Sequence, residues 1–291
     1  MVDGLVPVVK GNGYGFGRAT LHHIARTLSD NVCVGSVDEL DNVPATVTPV
    51  VLTPTMVRPE TTAMVLTIGS HEQVDVLAGW QGRVLVKLQS SMRRFGVAPT
   101  ELDHVTSDAR TAKLQMIGYS LHLPLAGSET DRVGEIEAWL DHLDPRLPLW
   151  LSHLQPQAYS ALQARHPQRR FRLRLGTLLW HGDKSFLQLH TDVLAVREIH
   201  AGDRAGYRLT EVGDDGNLVV VGAGSAHGVA ALGDGSSPFH FARTRLNLLE
   251  PPHMHASMLL APVGTPCPTV GEQVDVQRPL IATVVDEVEW L

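Results

Sequence analysis

Two cysteines in a chain of 291 residues are too few for a disulfide framework. Cys33 lies in the apolar run VCVGS and Cys267 in a proline-rich turn, and both are expected to be free thiols. Long apolar runs are missing too, since none approaches the roughly 18 residues that a membrane helix needs. The first residues do not follow the charged, apolar, small-residue order of a secretory signal. A cytoplasmic protein without a membrane partner is therefore expected. No face rich in Lys and Arg is evident, and the net charge is −7 with a pI near 6.1, so nucleic acid is not an expected partner. There are fifteen histidines, yet no pair has a zinc spacing flanked by cysteines, so no structural metal is expected.

What is present is an ordinary globular composition, 43% hydrophobic and 19% charged. From residue 5 to about 175, short apolar runs alternate with amphipathic stretches. The runs are Val6–Val9, Val32–Gly35, Val50–Thr53, Met64–Ile68, Arg83–Leu88, Leu114–Tyr119, Leu147–Ser152 and Phe171–Leu175. Helix-like stretches between them include Ala19–Leu28, His71–Leu77, Glu101–Ala109, Asp131–Leu143 and Gln157–Arg165. Strands that are β-branched and leucine-rich throughout suit a parallel sheet covered by helices, and eight βα units make a (β/α)8 TIM barrel. After Gly182 the runs are separated by Gly, Pro and Asp turns with little helical periodicity. The expected layout is a barrel over residues 1–185 and a C-terminal antiparallel β domain over residues 186–291.

The most informative stretch is VVKGNGYGFG, residues 8–17. An apolar strand runs into a glycine-rich turn there and leaves Lys10 at the strand's C-terminal end, the end that faces the active site of such a barrel. Such a pocket would lower a lysine pKa by desolvation and leave the neutral amine that forms a Schiff base with an aldehyde cofactor; on position alone a strand-end lysine in water is the other reading.

This stretch resembles the lysine motif VVKANAYGHG of the alanine racemase family, the fold-type III pyridoxal phosphate enzymes, with Lys10, Asn12, Tyr14, Gly15 and Gly17 in register. The resemblance implies that Lys10 carries pyridoxal 5'-phosphate and that Tyr14 bonds its phosphate. Residues 86–97, VKLQSSMRRFGV, resemble VKVDTGMGRLGF, with Lys87, Met92, Arg94 and Gly96 matched and Gln89 and Ser91 in place of Asp and Gly. Arg94 would then meet the cofactor phenolic oxygen and the substrate carboxylate, and Lys87, often carbamylated in the family, would orient it. MIGYSLHLPLAG resembles the strand before THFA and puts His122 at a histidine beside the cofactor ring. WLSHLQ places Ser152 at a phosphate-binding serine, with His153 facing the other way on the strand. RLRLGTLLWHG resembles RPGIALYG, so that Gly176 and Thr177 would cradle phosphate while Arg174 holds the ring nitrogen. A guanidinium leaves that nitrogen unprotonated, a restrained electron sink suited to simple proton removal and return.

The resemblance fails at the second catalytic base, in the family a tyrosine of GYADGY supplied by the partner subunit. VVVGAGSAHGVA, residues 219–230, has Ser225 at the tyrosine and His227 at the aspartate. His227 is the natural substitute, because histidine titrates near neutrality and serine does not. PPHMHASMLL resembles GRVSMDQLMV and puts Met254 where a backbone amide meets the substrate carboxylate; His253, His255 and His227 would share one mouth of the pocket. Only nine residues precede Lys10, where the family has a further strand and helix, which implies a truncated chain or a barrel without that cover. The chain also ends before another phosphate-binding tyrosine of the family.

The expected activity is a pyridoxal phosphate-dependent racemase or epimerase acting on an amino acid as a homodimer with shared active sites. The alternative is a cofactor-handling protein of the same fold without racemase activity. A decarboxylase of the same fold type has little support, since PCPTVGE around Cys267 only weakly imitates its cysteine motif.

Overall fold

The computed structural model describes residues 4–291, and the chain divides into two compact units, Met1–Trp180 and His181–Leu291. In the first, eight strands form one parallel sheet: β1 (Leu5–Pro7), β2 (Asn31–Val34), β3 (Thr48–Val51), β4 (Val65–Ile68), β5 (Arg83–Leu88), β6 (Gln115–Leu121), β7 (Leu149–Ser152) and β8 (Phe171–Leu175). The order β1-β8-β7-β6-β5-β4-β3-β2 leaves β1 and β2 at its ends. A parallel bridge between Val8 and Cys33 joins those ends, so the sheet rolls into a nearly closed barrel. Its interior holds Val6, Val8, Cys33, Val50, Val65, Leu85 and Trp150, all buried. Most residues on both faces of the strands are out of water, which is why apolar side chains dominate the runs.

The outer layer is α1 (Arg18–Leu28), α2 (His71–Val76), α3 (Leu102–Thr111), α4 (Glu129–Leu140), α5 (Pro156–Arg165) and the single turn α6 (Thr177–Trp180). Helix α4 starts where Ser128 caps it: Ser128 Oγ accepts the Asp131 N–H at 3.1 Å, and Asp131 accepts the Ser128 N–H at 2.8 Å. Two crossovers depart from strict βα alternation. The β2–β3 connection has only the 3₁₀ turn Val37–Glu39, and residues 52–64 link β3 to β4 without a helix. Pro44, Pro49, Pro54 and Pro59 recur through this stretch, each removing a donor and pushing its predecessor out of helical geometry.

The second unit is antiparallel. Strands β9 (His190–Ile199), β10 (Arg204–Ala205), β11 (Thr210–Glu211), β12 (Gly216–Val221), β13 (Phe239–Phe241), β14 (Thr244–Arg245), β15 (Asn247–Leu248), β16 (Ser257–Pro262) and β17 (Gln273–Val276) make a seven-stranded sheet, β14-β13-β17-β9-β12-β16-β15, and a separate β10–β11 hairpin. The sheet's core is Val193, Val219, Val221, Phe239, Leu246, Leu259 and Val274, with Phe239 fully buried. Among the described residues no helix is long and apolar enough to cross a membrane.

Candidate active site

Lys10 stands just past β1, exposed at the C-terminal mouth of the barrel. The turn it opens is built by glycine. Gly13 N–H returns to the Lys10 carbonyl at 3.0 Å with Gly13 at φ +65, and a methyl there would sit 2.5 Å from the Arg18 nitrogen. The turn forces Tyr14 into the left-handed region (φ 57, ψ 22), a strained conformation for a tyrosine that is 6% exposed. That geometry drives the phenol against the strand-end turn of β8, so a methyl on Gly176 would lie 2.2 Å from its oxygen. Tyr14, Gly176 and, by adjacency, Thr177 thus form one corner of the mouth. Burial raises the Tyr14 phenol to about 12, so it is a donor at neutral pH.

Cations gather at the same mouth. Arg174 on β8 is 3% exposed, and its guanidinium bonds only carbonyls among the partners seen, Nε to Leu151 O at 3.3 Å and Nη2 to Leu121 O at 2.8 Å. Lys87 on β5 is 4% exposed; burial first, then the charges of Arg174 and Arg94, bring its amine down to about 7. Burial and then Arg94 likewise lower the Lys10 pKa, while Glu39 opposes them. Cys33 on β2 lies close enough to feel Arg174, Lys87 and Lys10, but burial pushes its thiol up to about 12 and keeps it neutral.

Arg94 is exposed in the turn after β5, with its guanidinium 5.2 Å from the Phe95 ring centroid. The two family departures lie in this turn and have partners on α4. Ser91 donates its N–H and its hydroxyl to the Glu135 carboxylate at 2.6 and 2.8 Å, and Trp139 Nε1 donates to the Gln89 carbonyl at 3.2 Å. Beside them, Ser152 Oγ is 2.8 Å from His122 Nδ1 and 3.4 Å from the Leu123 N–H, which it accepts. The serine proton therefore points to Nδ1 and leaves His122 neutral, in line with burial and Arg174 lowering its pKa to about 2. His153 corrects the sequence expectation. Strand β7 ends at Ser152, His153 turns left-handed (φ 59), and its ring comes back to 4.6 Å from His122 instead of facing away.

In the second unit, the turn Ser225–His227 is joined main chain to main chain with the loop before β16. Ser225 N–H donates to His253 O at 2.7 Å and Ala226 N–H to Met254 O at 2.9 Å. Ser225 is exposed, and Met254 is 67% exposed. Both ring nitrogens of His227 are engaged: Nδ1 accepts the Gly224 N–H at 3.1 Å and Nε2 donates to Asp286 Oδ2 at 3.2 Å. His255 stands edge-on to it at 5.8 Å, whereas the His253 ring turns to Glu250 and Tyr207. Among the described residues no three His, Cys, Asp or Glu side chains converge to hold a metal ion.

Glu39 and Glu135 at this mouth carry no local signal in the sequence, and neither does the nearness of Cys33 and His153 to the cationic side chains. Glu39 and Glu135 act on backbone N–H groups 28 and 44 residues away, a relation without a local signature. The serine that replaces glycine at position 91 was the available pointer to Glu135.

A nearly closed parallel barrel with a lysine and an arginine at strand ends, followed by an antiparallel β unit, places the chain in the class of (β/α)8 barrels that carry a C-terminal β unit. The sequence profile of the alanine racemase N-terminal domain matches residues 2–179, and the chain belongs to the alanine racemase family. Solved structures agree in fold. The alanine racemase of Bacillus anthracis with bound L-Ala-P superposes with a TM-score of 0.72 at 18% identity, covering 94% of this chain and 78% of that one. That of Bartonella henselae with covalently bound pyridoxal phosphate gives 0.69 at 18%, covering 96% and 84%. That of Acinetobacter baumannii gives 0.68 at 16%, covering 98% and 85%. A search of curated proteins gave no significant match.

Proposed function

We propose that this chain is a pyridoxal phosphate-dependent racemase or epimerase of an amino acid, working as a homodimer with shared sites. The observation that carries the reading is the mouth of the barrel, where Lys10 stands among Arg94, Lys87 and Arg174 with Glu39 the carboxylate that bears on it. Such an excess of positive charge calls for an anionic ligand, and the Tyr14 phenol packed on Gly176 offers a donor corner for a phosphate. These residues fit a phosphorylated aldehyde. When bound, pyridoxal phosphate supplies the aldehyde that captures an amino group and the ring that makes its α-proton acidic. Lys10 would hold the aldehyde and then take and return that proton on one face, a task that its lowered pKa favours by raising the neutral fraction. Tyr14, Ser152, Gly176 and Thr177 would hold the phosphate. Arg174 would face the ring nitrogen without giving up a proton, the neutral His122 would pack beside the ring, and Arg94, oriented by Lys87, would hold the substrate carboxylate. On the second face Ser225 and His227, with Met254 nearby, would come from a second copy, His227 serving as base.

A second reading, cofactor binding without racemisation, is favoured by one observation. His227 already accepts the Gly224 N–H at Nδ1 and donates from Nε2, so it must break a bond before it takes a proton. Loading the protein with pyridoxal phosphate in heavy water and following α-proton exchange and chirality over a panel of L- and D-amino acids separates the two. Exchange with inversion supports the racemase and names its substrate. Exchange with retention leaves one working face, and no exchange despite visible cofactor favours the second reading.

A further inference from the structure

The lysine turn is clamped by a carboxylate that none of the roles above uses. Gly11, directly after Lys10, donates its N–H to Glu39 Oε1 at 2.9 Å, and its carbonyl accepts Arg18 Nη1 at 2.8 Å. The other oxygen of Glu39 accepts the Gly35 N–H at 2.7 Å, just after β2. A methyl on Gly35 would sit 2.7 Å from that oxygen, so glycine permits the approach. One carboxylate therefore spans the turns that follow β1 and β2. These strands are the two ends of the sheet, joined by the Val8–Cys33 bridge, so the span lies at the seam of the barrel.

Glu39 is also the negative charge that bears on the Lys10 amine, as well as on Tyr14 and His22. The other groups facing Lys10 are cationic or neutral: Arg94 from the turn after β5, Lys87 on β5, Arg174 on β8, Cys33 on β2 and His153 after β7. We propose that Glu39 is a positioning residue for Lys10: it latches the barrel seam at the lysine turn and supplies the counter-charge that the amine faces. Its consequence for catalysis rests on Lys10 being the cofactor lysine, whereas the latch does not.

The chain has four lysines, Lys10, Lys87, Lys113 and Lys184, so side-chain NMR of the full chain labelled on lysine resolves Lys10 without any cofactor. In Glu39→Gln the Lys10 titration midpoint moves down, while Lys113 and Lys184 stay in place. Glutamine offers one acceptor where two N–H groups need one each, so either Gly11 or Gly35 exchanges its amide about tenfold faster. In Glu39→Ala both do. Glu39→Asp keeps the charge but is a methylene short of spanning both glycines, so it leaves the Lys10 midpoint near the parent value and releases one amide. An unmoved Lys10 midpoint in Glu39→Gln, or unchanged exchange at both glycines in Glu39→Gln, overturns the proposal. Should Glu39→Ala fail to fold, the near-isosteric glutamine variant decides alone. Pyridoxal phosphate added to the parent chain gives a separate answer: no visible band overturns the cofactor reading and the catalytic consequence of the latch, and the titration still decides the latch itself.

Discussion

Gly176→Ala probes the contact between Tyr14 in the lysine turn and the turn that follows β8. The new methyl would lie 2.2 Å from the Tyr14 phenolic oxygen and 2.9 Å from the carbon that bears it, where carbon contacts relax at about 3.5–4.0 Å. Tyr14 has little room to yield. Its backbone is left-handed at φ 57, and its ring packs in a buried cluster with Val9, Leu21, Ala25, Val32 and Val47. Overpacking of this kind costs about 1–3 kcal/mol, and no backbone strain adds to it because Gly176 does not sit at positive φ. Urea unfolding followed by circular dichroism should therefore show Gly176→Ala destabilised by about 2 kcal/mol. Tyr14→Phe removes the atom at 2.2 Å and leaves the one at 2.9 Å. The double variant should then lose about 1 kcal/mol less than the sum of the single losses. Strict additivity, or a Gly176→Ala protein within about 0.5 kcal/mol of the parent, would refute the contact.

Other expectations follow from the same geometry. Burial holds His122 near about 2 and lowers His22 and His153, so the unfolded chain takes up protons near pH 6.5 that the folded chain refuses. Stability should be full above that pH and fall as pH drops below it, and His122→Phe should flatten the slope by at most about 1.4 kcal/mol per pH unit in urea titrations. The Lys87 amine, at about 7 when folded against about 10.4 when unfolded, adds a rise in stability with pH over that window, and Lys87→Met should abolish it. Glu135→Ala frees the Ser91 N–H and hydroxyl; amide exchange at Ser91 should quicken about tenfold, and loss of that quickening would refute the clasp on the Arg94 turn. His227→Ala should remove heavy-water exchange from one enantiomer and spare the other; equal loss for both counts against a two-base arrangement.

The strands were legible because most residues on both of their faces are dry. Arg83–Leu88 and Phe171–Leu175 read from the sequence with their observed limits, although Lys87, Arg172 and Arg174 interrupt their apolar residues. The region between Val34 and Val65 was harder, and its prolines at every fifth position explain the crossovers without helices. In the candidate site, the placing of Lys10, Ser152 and Arg174 at or beside strand ends could be read from the sequence pattern. Glu39 and Glu135 could not, because a carboxylate that accepts backbone N–H groups from a distant turn leaves no residue-type pattern there. His153 misled for a different reason: alternation along a strand places a side chain only while the strand lasts, and β7 stops one residue earlier.

The central claim is that Lys10 is the amine this barrel presents to pyridoxal phosphate. The direct measurement is to mix the protein with pyridoxal phosphate, reduce with borohydride, digest, and locate the pyridoxyl group by peptide mass. The label is expected on Lys10, with Lys113 and Lys184 unlabelled at stoichiometric cofactor and no visible band in Lys10→Ala. Label spread over the surface lysines, or a band that survives in Lys10→Ala, would contradict it.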